Sequence, residues 1–133
     1  MYTTVITPRV SETDGVGHIN NTVLPAWFEA GRAELFRLFN PTDSFEDWPM
    51  IVKTYTVTFD REIRYGADVT VECAVSRIGG TSIRLAERIV QDGTVCATGE
   101  VVYVLVGGDR RPMAIPADLR RELERHLIEE NHD

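Results

Sequence analysis

Between Met50 and Val106 one period dominates the chain. Tyr55, Val57 and Phe59 alternate with Thr54, Thr56 and Thr58, and Val69, Val71, Cys73 and Val75 then recur at every second position. Ile83, Leu85 and Ile89 oppose Arg84 and Arg88, and Thr94 to Val106 is a long run of Val, Tyr and Leu with few charges. Alternation of this kind marks a strand with one wet face, because successive side chains point to opposite sides of a sheet. The runs are separated by turn formers: Arg61–Asp68, Arg77–Ser82 with its Gly-Gly pair, and Asp92-Gly93, a strong two-residue hairpin signal. At least four consecutive antiparallel strands follow, expected as a single meander sheet with one apolar face to cover.

The cover lies upstream. Leu24, Trp27, Phe28, Gly31, Leu35, Leu38 and Phe39 recur at helical spacing and predict one long central helix. Ala26, Ala30 and Gly31 are small enough to let the sheet wrap closely around it. Asn20 and Asn21 suit the N-cap, and Pro25 fits only in the first turn, where its missing N–H costs least. Tyr2 to Val10 reads as a first strand with Pro8 near its end, and Asn40 to Pro49 as a loop whose Phe45 and Trp48 need cover. Pro116 to Glu130 predicts a charged C-terminal helix with Leu119, Leu123 and Leu127 as its stripe. Strand, helix, antiparallel strands and a terminal helix make an α+β class, with residues 1–133 as a single domain. Long strands leave sheet edges that need partners, so a homo-oligomer, dimer or tetramer, is expected.

A net charge of −7 argues against a nucleic-acid binder, which needs a basic face. No run of about 18 apolar residues is present to span a membrane. Met1 to Arg9 lacks a charged region followed by an apolar core, so no signal peptide is expected and the location reads as cytoplasmic. Cys73 and Cys96 each sit in an apolar strand-like run and read as buried reduced thiols. Metal-ligand spacing is absent, so no metal site is expected.

Chemistry concentrates in Ser11–Arg32, where Asp14, Gly15, Gly17, His18, Asn20 and Asn21 stand directly ahead of the helix. Free N–H groups and the macrodipole make a helix start a place to hold a developing oxyanion. A carboxylate, a flexible turn and such a site together point to a reaction at a carbonyl, with Asp14 either a general base or a nucleophile. His18 reads equally as a group orienting Asp14 and as part of the turn. Asn20 and Asn21 read first as caps, with water or carbonyl positioning as the alternative. Glu29 is open between a second site carboxylate and a salt-bridge partner of Arg32.

The pattern Asp14-x-x-Gly17-His18-Ile19-Asn20-Asn21, followed by an aromatic and Glu29-Ala-Gly-Arg32, resembles the hotdog-fold acyl-CoA thioesterases, in particular the 4-hydroxybenzoyl-CoA thioesterase branch. The resemblance implies an antiparallel sheet wrapped around a central helix, Asp14 as the catalytic carboxylate, and a backbone N–H in Gly17–Asn21 holding the thioester carbonyl. It implies an acyl-CoA or acyl-carrier thioester as substrate, with coenzyme A entering only as part of it and no separate cofactor. Trp27, Tyr55, Phe59 and the Phe45–Met50 loop are then expected to line an acyl pocket. Arg61 and Arg64 are expected to meet phosphates, with Arg77, Arg84, Arg88, Arg110 and Arg111 as further cations, and Thr81 and Ser82 to touch the pantetheine arm or phosphates. Leu24 and Pro25 depart from the family, which commonly has an aromatic there. The alternatives are a hotdog enoyl-thioester hydratase or dehydratase and a non-catalytic acyl-CoA or acyl-carrier binding module.

Overall fold

The alternating runs all form strands, but they do not pair in a simple meander. The computed structural model describes residues 1–42, 44, 46 and 48–128. Strands β1 (Tyr2–Ile6), β2 (Met50–Phe59), β3 (Val69–Ile78), β4 (Ser82–Gln91) and β5 (Thr94–Leu105) form one antiparallel sheet in the order β1-β3-β4-β5-β2. Only β3, β4 and β5 meander. Asp92 and Gly93 both have positive φ, at 50° and 75°, the backbone a tight hairpin between β4 and β5 demands.

β2 does not join β3, as a single meander would require; it pairs with β5, from Met50 opposite Leu105 to Phe59 opposite Ala97. The connection 60–68 explains this, because it is bonded across the end of the sheet. The N–H groups of Asp60 and Arg61 both donate to the Cys96 carbonyl at 2.9 Å. Farther along, the Gln91 side-chain amide donates to the carbonyls of Arg64 and Ala67 at 2.9 and 3.0 Å. The chain thus passes beneath β5 and β4 before entering β3.

The helical cover is not one long helix. A 3-10 turn at Asn21–Val23 leads into α1 (Leu24–Ala30), and α2 (Ala33–Phe39) follows after a break at Gly31 and Arg32. There ψ rises to −12° and 3°, and Arg32 N–H bonds the Glu29 carbonyl, three residues back, at 3.0 Å. Two contacts impose the break. A Cβ on Gly31 would stand 2.6 Å from Val71 Cγ1, so the backbone is pressed against β3. The Arg32 guanidinium also turns inward, to Glu87 on β4. Ala26 and Ala30 face away from the sheet, so close approach rests on Gly31 and on Gly99, which sits under the Phe28 ring. Leu24, Trp27, Phe28 and Leu35 are buried as the stripe predicted.

The terminal helix α3 (Ala117–Glu124) is shorter than the expected Pro116–Glu130. β1 covers the edge of β3 only from Val69 to Cys73, leaving Val75, paired with Leu85 on its other side, without a β1 partner. The chain leaves the helix to supply partners: Val75 N–H donates to the His126 carbonyl at 3.0 Å, and Ile128 N–H to the Val75 carbonyl at 2.9 Å. Leu123 is buried, Leu119 half-buried and Leu127 exposed. The expectations for Phe45, Glu129 and Glu130 lie outside the described residues. β1 ends at Ile6, short of Pro8, and Val10–Glu12 is a 3-10 turn rather than strand. Cys73 and Cys96 are free and buried, and burial pushes the Cys73 thiol up to about 12. Among the described residues no strand pairs with the outer edge of β2, where Ile51, Val52 and Phe59 are 41%, 49% and 51% exposed. Among the described residues no helix is long and apolar enough to cross a membrane.

Candidate active site

The Asp14 turn is built by its glycines. Asp14 N–H donates to the His18 carbonyl at 2.8 Å, and Val16 N–H donates back to Asp14 Oδ1 at 3.0 Å. Closing so short a loop requires left-handed backbone, supplied by Gly15 and Gly17 at φ 94° and 87°. The turn is anchored on both sides. Tyr65 N–H donates to the Gly17 carbonyl at 2.8 Å, and Asn20 N–H to the Glu12 carbonyl at 2.8 Å.

Asn20 is the cap. Its Oδ1 accepts from Thr22 N–H at 3.0 Å and from the Thr22 hydroxyl at 2.8 Å. Asn21 opens the helical segment, and among the described residues its N–H has no acceptor. Pro25 is the second residue of α1, within the first turn as expected.

Asp14, His18, Asn20 and Asn21 line a cavity of about 470 Å³, walled on the other side by Phe59, Asp60, Arg61 and Glu62. Asp14 is exposed at its rim. Arg61 has no side-chain partner among the described residues, so it is the uncommitted cation of the cavity. His18 Nδ1 lies 3.1 Å from Glu62 Oε2, at an exposed contact.

Other candidates lie elsewhere in the chain. Trp27 is buried in the core, where its indole N–H donates to Glu12 Oε2 at 2.9 Å. Arg64 is ion-paired with Asp92. Tyr55 lies between the two halves of the core, with its hydroxyl buried and unpartnered. Thr81 and Ser82 sit at the β3–β4 turn, at the far end of the strands from Asp14. Glu29 is exposed and does not pair with Arg32.

Arg32 is instead the centre of a buried network that the helix pattern did not disclose. Its Nε lies 3.1 Å from both Glu87 oxygens, its Nη2 2.6 Å from Oε1, and its Nη1 donates to the Tyr103 hydroxyl at 3.1 Å. Burial pulls the Arg32 pKa down, but the Glu87 contacts more than reverse this and keep it protonated. Burial likewise pushes the Glu87 carboxyl up, against the pull of Arg32. The signal was parity: Glu87 shares the apolar register of Ile83, Leu85 and Ile89. Glu12 and Gln91 were missed too, because their work is to hold the site's two walls.

A five-stranded antiparallel sheet with helices on one face, and a carboxylate turn opening on the helix start, is the arrangement of hotdog-type thioesterases. The chain belongs to the Thioesterase-like superfamily, whose model matches residues 8–123. It is 52% identical to the structure of a predicted thioesterase from Bacillus stearothermophilus, with 98% of each chain covered and a TM-score of 0.91. A thioesterase from Thermus thermophilus, complexed with coenzyme A and Zn, is 27% identical, covers 92% of this chain and 96% of its own, and has a TM-score of 0.81. The uncharacterized protein YsmA of Bacillus subtilis (strain 168) is 28% identical over 104 residues, 76% of this chain and 69% of YsmA. Among the described residues, no group of three or more His, Cys, Asp or Glu is gathered as a metal site.

Proposed function

We propose that this chain is a cytoplasmic acyl-CoA thioesterase, in which water and an acyl thioester give a carboxylic acid and a free thiol. The observation that carries the reading is the single cavity that Asp14 shares with the helix start and Arg61. Asp14 either takes a proton from the attacking water or attacks the carbonyl itself, giving a mixed anhydride that water then opens. The oxyanion faces the helix start, where Asn21 N–H is the free donor. Coenzyme A in the Thermus thermophilus structure supports a CoA thioester as substrate. Two copies pair through the outer edges of β2, and because Phe59 closes both β2 and the cavity, each site lies near the subunit boundary.

Free-thiol release from a panel of acyl-CoAs tests the reaction, and Asp14→Asn tests the residue. Asn keeps the shape and the turn, so the variant should melt like the parent while kcat falls roughly 10²-fold or more, with KM little changed. Near-parent turnover from a stably folded Asp14→Asn protein removes Asp14 from the mechanism. Hydration of an enoyl-CoA, or tight binding without turnover, would replace the thioesterase reading by a hydratase or a binding module.

A further inference from the structure

The Asp14 cavity carries a second group able to move a proton, and the connection between β2 and β3 supplies its partner. That connection lies against the Asp14 turn as a short antiparallel ribbon. Ile19 N–H donates to the Ile63 carbonyl at 2.7 Å, Tyr65 N–H to the Gly17 carbonyl at 2.8 Å, and His18 bridges to Arg64. The ribbon fixes the backbone around His18 and beside Glu62, and both residues line the cavity with Asp14.

The 3.1 Å contact between His18 Nδ1 and Glu62 Oε2 sets the state of the imidazole. An ionised carboxylate only accepts hydrogen bonds, so the ring proton sits on Nδ1. In the neutral ring the lone pair then belongs to Nε2, which has no hydrogen-bond partner among the described residues. A carboxylate on one nitrogen and a free lone pair on the other is the arrangement of a base, because the acid also steadies the imidazolium that forms. Asp14 is held differently. Its Oδ1 accepts from Val16 N–H at 3.0 Å, which fixes the carboxylate, while Oδ2 has no partner among the described residues. Imidazole as a class titrates nearer neutrality than a carboxylate and is the better acceptor for a proton from water.

We infer that His18, positioned by Glu62, is the base that activates the hydrolytic water, and that Asp14 is the nucleophile. The inference rests on the thioesterase reading and selects one of its two routes. An Asp14 oxygen bonds to the acyl carbon, and the C–S bond breaks with its electron pair passing to sulfur. Water then gives a proton to His18 Nε2 as its oxygen bonds to the acyl carbon of the anhydride. The bond from that carbon to Asp14 breaks, and its electron pair returns to the carboxylate. The imidazolium passes its proton to the thiolate, so acid and free thiol leave with all three side chains restored. Glu62 touches none of the reacting atoms and acts only through His18.

Rapid mixing of the full chain with an acyl-CoA, with thiol and acid followed separately, tests the order of these events. His18→Ala should release one thiol per site in a fast burst and then turn over roughly 10²-fold or more slowly, the scale of a positioned base. Its kcat and KM should fall together, since kcat/KM reports only the steps up to C–S cleavage. Glu62→Leu should slow acid formation about fivefold, the scale of an exposed ion pair, and Glu62→Gln, which keeps an acceptor for Nδ1, should slow it less. Glu62→Leu added to His18→Ala should change nothing further. Melting temperatures should hold, because the two side chains are 41% and 74% exposed, and His18→Gln serves if His18→Ala fails to fold. A His18→Ala protein without a burst, with kcat/KM reduced as much as kcat, would overturn the assignment. So would parent rates in Glu62→Leu, or a further loss in the double variant. A parent that releases no thiol from any acyl-CoA overturns the thioesterase reading as well, whereas an active parent matched by His18→Ala overturns this assignment alone.

Discussion

Arg61 and Arg64 carry the same charge in the same connection, yet their surroundings divide them. Arg64 is committed to Asp92 across the turn, while Arg61 faces the Asp14 cavity with no acid on it. A charged hydrogen bond to a phosphate contributes about 1.5–3 kcal/mol. Arg61→Ala should therefore raise KM for an acyl-CoA about tenfold or more, with kcat little changed. Acyl-pantetheine, which lacks the nucleotide, should be turned over as before. Arg64→Ala should leave both KM values alone, because it breaks only an exposed pair of small energetic weight. Steady-state kinetics on the two substrates decide it: an equal rise for both in Arg61→Ala would mean that Arg61 supports the fold or the chemistry.

Among the elements, the broken helix is the one with most built into its geometry. Gly31 brings the backbone onto Val71, and Arg32 reaches Glu87 only because the helix turns there. Both side chains of this ion pair are nearly inaccessible, at 3% and 0%. Removing one partner of such a pair leaves a buried charge unmatched and costs about 3–5 kcal/mol, whereas replacing both by apolar groups costs far less. Arg32→Met should thus destabilise by that amount in denaturant unfolding, and adding Glu87→Leu should restore much of the loss. A single-variant cost under about 1 kcal/mol would show that the pair is dispensable. Ahead of α1, the 3-10 turn at Asn21–Val23 sets its cap Asn20 and Asn21 on the wall of the cavity.

For the whole molecule the decisive feature is an asymmetry between the two edges of the sheet. On one side, β1 and the segment after α3 share the edge of β3. On the other, β2 ends the sheet with Ile51, Val52 and Phe59 exposed, an edge that invites pairing. Sedimentation velocity at micromolar concentration should therefore find at least a dimer. Val52→Lys, which puts a charge on that edge, should shift the population toward monomer and lower activity with it. A stable, active monomer of the unaltered chain would remove the boundary from the proposed site.

Local features were legible because their causes are local. Period-two alternation marked β2 to β5, Asp92-Gly93 marked their tightest turn, and Gly15, Gly17 and Asn20 marked the loop and cap beside Asp14, each within a few residues of its effect. The spacing of Leu24, Trp27, Phe28 and Leu35 likewise identified the buried helical stripe. Glu87 stands in the apolar register of Ile83, Leu85 and Ile89, a mark the sequence reading did not use and one that does not say which cation it meets. Its partner, the break in the helix, the exchange of β2 to the far edge and the separation of Arg61 from Arg64 all arise from contacts between residues distant in the chain. No repeat or spacing encodes such contacts. They follow from which groups are left unsatisfied once sheet and helices pack, and burial makes leaving a charge or an amide unmatched costly enough to bend a helix or reroute a strand.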